Sequence, residues 1–160
     1  MKTLYEKVEK FRDEVQKSWH RQGRDVGSNA GTVCARCRQG LDAGGPERLE
    51  LITDGVMGVF APEFAGNFYE GDLCLTRSYQ KATREILVPK MKDIKPETRE
   101  RWRSLPYQLD EITKVNSSRL KKVLAGGHIK SIKADETGKG PLFFETDNSD
   151  VKFVLMPLAF

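Results

Sequence analysis

The stretch from Asp110 to Phe160 constrains the fold most tightly. Asp110 to Asn116 leads into Ser117-Ser118-Arg119-Leu120-Lys121-Lys122-Val123-Leu124, and three apolar or alternating runs follow: His128 to Ala134, Pro141 to Thr146 and Val151 to Leu158. Gly126-Gly127, Thr137-Gly138-Lys139-Gly140 and Asp147-Asn148-Ser149-Asp150 separate them. Gly, Asn and Asp tolerate the backbone angles of tight reversals, so these clusters read as turns between strands. The stretch therefore predicts a strand, one short helix and three strands. In the last run, period two puts Val154, Met156 and Leu158 on one face and Phe153 and Leu155 on the other. A strand apolar on both faces must be covered on both, or must leave a groove where a partner peptide inserts Leu or Phe side chains. Pro157 has no N–H and belongs at a strand edge or bulge.

The start of the chain repeats this architecture without repeating its residues. Leu4, Val8, Phe11, Val15 and Trp19 recur at spacings of three and four, which predicts a helix over residues 3–21 with one apolar face. Thr3 and Glu6 stand at the capping-box spacing. The opposite face carries Lys7, Lys10, Glu14 and Lys17, and reads either as a solvated surface or as a surface for a polyanion. A polar linker, Gly23 to Gly31, precedes three predicted strands: Thr32 to Arg38, Arg48 to Thr53 and Val56 to Ala61. Asp54-Gly55 between the last two is a hairpin dipeptide. The pattern is again helix and three strands. The expected fold is thus α+β: a first half over residues 1–61, an inserted connection over 62–109 and a second half over 110–160, in one domain. Within the connection, strands are expected at Asp72 to Arg77 and Arg84 to Pro89. A short charged helix is expected from Pro96 to Leu105.

Composition bounds the partners. No apolar run approaches the roughly 20 residues of a membrane span, and Met1-Lys2-Thr3-Leu4-Tyr5-Glu6 has no signal-peptide core. A cytoplasmic location with reduced thiols is the expectation. The 27 basic residues are interspersed with 23 acidic ones, for a net charge of +4. This permits contact with nucleic acid without demanding it.

The motifs that carry chemistry are sparse. Cys34 and Cys37 form a CxxC, but neither a second CxxC nor a His pair follows. Cys74, His20 and His128 stand at irregular distances, whereas a structural zinc site closes four ligands tetrahedrally. In a strand, positions 34 and 37 point to opposite faces, which favours incidental thiols over a redox pair. There is no nucleophile elbow, no phosphate loop of Walker spacing and no paired-carboxylate constellation. The expectation is a non-enzymatic protein with no catalytic residues, no metal and no cofactor, with a small CxxC zinc protein as the remaining alternative.

Val115-Asn116, Leu120 and Leu124, the run Ile129 to Lys133, Gly140-Pro141-Leu142 and the terminal Val154-Leu155-Met156-Pro157-Leu158 together resemble the end of the bacterial DNA polymerase III β subunit, the sliding clamp. Leu51-Ile52-Thr53-Asp54-Gly55 resembles that family's Thr-Asp-Gly/Ser turn. Where the family often ends in Arg-Leu, this chain has Ala159-Phe160. The match lies mainly in residues 110–160 and covers one clamp-like domain, where a bacterial clamp chain carries three. The resemblance implies a processivity factor for DNA replication, with helices lining a hole around duplex DNA. Lys7, Lys10, Lys17, Arg119, Lys121 and Lys122 would then make sequence-independent phosphate contacts. It implies a pocket of Thr53, Asp54, Gly55, Met57, Val154, Leu155, Met156, Pro157 and Leu158 that receives short linear motifs of a polymerase or repair protein. A ring would require a homo-oligomer. The alternative from another class is a monomeric, clamp-derived interaction or inhibitor module that does not bind DNA.

Overall fold

The computed structural model describes residues 4–21, 37–39, 49–53, 56–61, 75–94, 106–126, 128–148 and 151–158. They form three helices, α1 (Leu4–Arg21), α2 (Thr76–Lys81) and α3 (Ser117–Ala125), and a single 3-10 turn at Met91–Asp93. Nine strands accompany them: β1 (Cys37–Gln39), β2 (Leu49–Thr53), β3 (Met57–Ala61), β4 (Arg84–Ile86), β5 (Pro106–Gln108), β6 (Lys114–Asn116), β7 (Ile129–Ala134), β8 (Leu142–Thr146) and β9 (Lys152–Leu155). Seven strands make one antiparallel sheet in the order β1-β2-β3-β9-β8-β7-β4, and β5 pairs with β6 in a separate ribbon. The chain is an α+β protein.

The order of the sheet is close to a palindrome. The final strand of the first half, β3, pairs with the final strand of the second, β9, and each half runs outward from that seam. The registers line up Ile52, Val59, Phe153, Phe144, Ile132 and Ile86 as one apolar row across β2, β3, β9, β8, β7 and β4. All six are buried. Period-two alternation in each strand produces this row, and a slip of one residue in any strand would break it.

Helices α1 and α3 lie on this face. Val8, Phe11 and Val15 of α1 and Leu120 and Val123 of α3 join the row in the main core. The edge of Phe11 meets the ring of Phe153 with centroids 4.9 Å apart and planes at 80°. Each such side chain contributes roughly 1.5–3 kcal/mol by leaving water. The start of α3 is fixed by Asn116, whose side-chain oxygen accepts from the Arg119 N–H at 3.0 Å, an N-cap bond.

The opposite face of the sheet carries a second, smaller core of Leu51, Phe60, Phe143 and Val154. Leu75 and Tyr79 of the α2 region and buried Ala82 cover it. The final strand is therefore buried on both faces, as its pattern requires: Phe153 and Leu155 toward α1 and α3, Val154 toward α2.

The structure differs from expectation in three places. A strand was expected at Asp72 to Arg77, but Thr76 and Arg77 open α2, and residues 72–74 lie outside the described residues. The alternation of Leu73 and Leu75 mimics a strand, while contact of Leu75 and Tyr79 with the sheet selects a helical turn. The last strand stops at Leu155 and does not reach Leu158. Beyond it Met156 donates its N–H to Val56 O at 2.7 Å and Leu158 donates to Lys114 O at 2.8 Å, while Pro157 between them has no N–H to give. The strand expected at Arg84 to Pro89 ends at Ile86. The helix expected at Pro96 to Leu105 lies outside the described residues, as does most of the strand expected from Thr32.

The middle segment does more than connect the halves. It supplies β4 at one edge of the sheet, β5 of the ribbon and the cover of the second face. Arg84 ties it to the second half. Its guanidinium pairs with Asp110 and donates to Asp135 O at 2.9 Å and Thr113 Oγ1 at 3.2 Å. Burial opposes the charge on Asp110, but the Ile112 N–H, the Thr113 hydroxyl and Arg84 outweigh it and hold its carboxyl below the ordinary aspartate range. No described helix is long and apolar enough to cross a membrane.

Candidate nucleic-acid interface

The spacing of the cationic residues on α1 decides where they point. With Val8, Phe11 and Val15 committed to the sheet, Lys7, Lys10, Glu14 and Lys17 fall along one flank and Glu6, Glu9 and Asp13 along another. The lysine flank turns toward α3. Lys122 Nζ of α3 lies 3.4 Å from Glu14 Oε2, and Lys17 Nζ lies 3.8 Å from Glu14 Oε1.

Between the helices opens a cleft of about 310 Å³. Lys7 and Lys10 stand on one side and Lys121 and Lys122 on the other, with Glu14 among them. Phe11, Ala125, Gly126 and Met91 supply its apolar surface. Among the described residues, no carboxylate pairs with Lys7, Lys10 or Lys121. Four of the six cationic residues expected to meet DNA thus converge on one opening. Lys17 sits further along α1 in its pair with Glu14, and Arg119 does not line the cleft.

The described residues of the expected peptide pocket, Thr53, Met57 and Val154 to Leu158, lie along and just beyond the ends of β2, β3 and β9. Thr53 donates its hydroxyl to Met57 O at 2.8 Å, and Met57 stands opposite Leu155 in the ladder. Met57, Val154 and Leu155 are core side chains, so, contrary to the expectation for them, they offer no surface to a bound peptide. Met156 and Pro157 are half-buried, and Leu158 is 37% exposed. These three are the apolar residues of the set that remain accessible to solvent. Asp54 and Gly55 lie outside the described residues.

One polar cluster went unread in the sequence. On the second face of the sheet, Glu145 of β8 and Lys152 of β9 stand opposite each other, with Lys152 only 2% exposed. Glu145 accepts a 2.5 Å hydrogen bond from the Tyr79 hydroxyl of α2. Lys152 and Lys133 bring their ammonium groups to 3.4 and 3.5 Å from its two oxygens. Both cations also lie over the Tyr79 ring, at 5.9 and 5.5 Å from its centroid. Burial opposes ionisation of Glu145, but the Tyr79 hydroxyl, Lys152 and Lys133 together hold its carboxyl below the ordinary glutamate value. The signal was available: Glu145 and Lys152 flank the turn at residues 147–150 at positions that a hairpin places opposite one another.

Of the candidate metal ligands, Cys34, Cys74 and the side chains of Cys37 and His20 lie outside the described residues, and His128 is exposed at the start of β7. Among the described residues no group of three or more His, Cys, Asp or Glu side chains could hold a metal ion. No family model, no curated protein and no solved structure matches the chain.

Proposed function

We propose that this chain is a sliding-clamp-like accessory protein of DNA replication, a non-enzymatic tether that holds duplex DNA by its phosphates. The observation that carries the reading is the pairing of two helix-plus-three-strand halves through β3 and β9, which sets α1 and α3 side by side with Lys7, Lys10, Lys121 and Lys122 around one opening. Ammonium groups on flexible stems suit a ligand whose negative charges recur along a backbone, because they need no fixed register. The mechanism is electrostatic: phosphates displace counterions, and the bound DNA keeps its sequence freedom. Partner proteins would dock short linear motifs on Met156, Pro157 and Leu158, none of which lines the lysine cleft.

The test is fluorescence anisotropy with a labelled duplex at low and moderate salt. The wild type should bind with affinity that falls steeply with salt and does not depend on sequence. Lys10→Glu with Lys121→Glu should weaken binding at least ~tenfold at low salt with unchanged melting temperature. Unaltered affinity in that folded variant would remove this helix face from the interface.

A second reading, a protein-interaction module that does not hold DNA, draws on Glu14. That carboxylate accepts Lys122 and Lys17 and lowers the net charge of the same face. A wild type that ignores duplex DNA at low salt favours it.

A further inference from the structure

The cleft between α1 and α3 has a feature that a surface for duplex backbone does not require. Its lysines stand around an apolar recess. The floor is the buried Phe11 ring, and the walls are Ala125 at the end of α3 and Met91 of the 3-10 turn, 42% exposed. A phosphate on a rigid duplex would touch only the ammonium rim, because the bases of a duplex are stacked and cannot enter. The whole cleft, rim and recess together, is about 310 Å³, at the small end of the range that holds organic ligands. An anion with a flat apolar body uses both parts of the site: charge at the rim, surface burial below.

We infer that this cleft binds a single phosphorylated nucleoside, with its phosphate among Lys7, Lys10 and Lys121 and its base or sugar against Phe11, Met91 and Ala125. The same chemistry is offered by a free nucleotide and by the unpaired terminal nucleotide of a DNA strand. The inference shares its lysines with the duplex reading of the previous section and is separable from it by the recess.

The experiment titrates the full chain, by calorimetry or by NMR shifts, with deoxyadenosine monophosphate, inorganic phosphate and deoxyadenosine. The monophosphate should bind at least ten times more tightly than either fragment. Met91→Ala should weaken it about threefold or more while leaving weak phosphate binding in place. Ala125→Trp, at an exposed position, should fill the recess and abolish monophosphate binding while duplex affinity persists. Monophosphate that binds no better than inorganic phosphate overturns the inference, and so does unaltered binding in a folded Ala125→Trp protein. Monophosphate binding in a protein that ignores duplex DNA upholds the inference and removes the duplex reading. Competition with the monophosphate by an oligonucleotide with an unpaired terminal nucleotide, beyond that of a blunt duplex on the shared lysines, assigns the strand end as the source. Without such competition, the free nucleotide is the source.

Discussion

At the scale of single residues, the most consequential side chain is Lys152. A lysine 2% exposed in a central strand would be costly unless its charge were met, and Glu145 meets it from the neighbouring strand. Glu145→Ala should therefore destabilise the protein by on the order of 3 kcal/mol, because it removes the carboxylate that faces a buried cation. Tyr79→Phe, which removes one donor to that charged carboxylate, should cost about 1.5–3 kcal/mol. Urea unfolding followed by circular dichroism measures both. The pH dependence has a fixed sign. The folded carboxyl of Glu145 titrates below its ordinary value of 4.5, so its contribution is fully present above that pH and disappears as pH falls through the folded value. The urea midpoint should drop on acidification below pH 4.5, and Glu145→Gln should make that drop shallower. Equal slopes in the two proteins would mean that other carboxylates carry the acid sensitivity.

At the scale of elements, the seam between α3 and β9 depends on a missing side chain. A Cβ at Gly126 would lie 2.8 Å from Cε1 of Phe153. That ring cannot easily retreat, since Phe11 stands edge-on against it and Val59 and Phe144 flank it in the row. The backbone at Gly126 is ordinary right-handed helical, with φ of -73°, so alanine meets no conformational obstacle there. Gly126→Ala should thus isolate the packing clash and cost about 1–3 kcal/mol. Adding Phe153→Leu should recover part of the loss, so that the double variant is more stable than the sum of the single effects implies. Additive losses would show that the ring already has room. The same element explains what sequence alone could reveal. The Phe153, Leu155 and Val154 alternation announced a strand covered twice, and α1 was legible because its apolar stripe repeats over several turns. The helix α2 was not legible. Six residues hold too short a period to outweigh the strand-like Leu73 and Leu75, and its helical form rests on contacts with Phe143 and Glu145, far along the chain. The lysines of α1 and α3 could be named from spacing, but their convergence on a recess floored by Phe11 and walled by Met91 depends on how the two helices and the middle segment pack.

At the scale of the whole molecule, the described residues of one chain set one pair of helices, α1 and α3, around the lysine cleft, and a tether that encircles DNA needs several. The sheet leaves β1 and β4 at its two ends, each paired on one side only among the described residues, which are the positions where another chain could continue the ladder. If copies close into a ring, retention on DNA becomes topological, and it should then depend on whether the DNA has ends. If the Lys7, Lys10, Lys121 and Lys122 set alone holds the DNA, the attraction is ordinary electrostatics: with about 0.9 counterions released per phosphate contact, four contacts would give a slope of log affinity against log salt near −3.6. A ring adds a term that salt does not remove. Protein loaded on a nicked circular plasmid at low salt should therefore stay bound when salt is raised, and should leave when a single cut linearises the plasmid. Light scattering of the released protein should return the mass of a closed oligomer, a multiple of 18.1 kDa. A protein that leaves circular and linear DNA at the same salt concentration, with the mass of one chain, holds DNA by its lysines alone. In that case the two helix-plus-three-strand halves serve as a scaffold for a single basic face, and encirclement is not part of the mechanism.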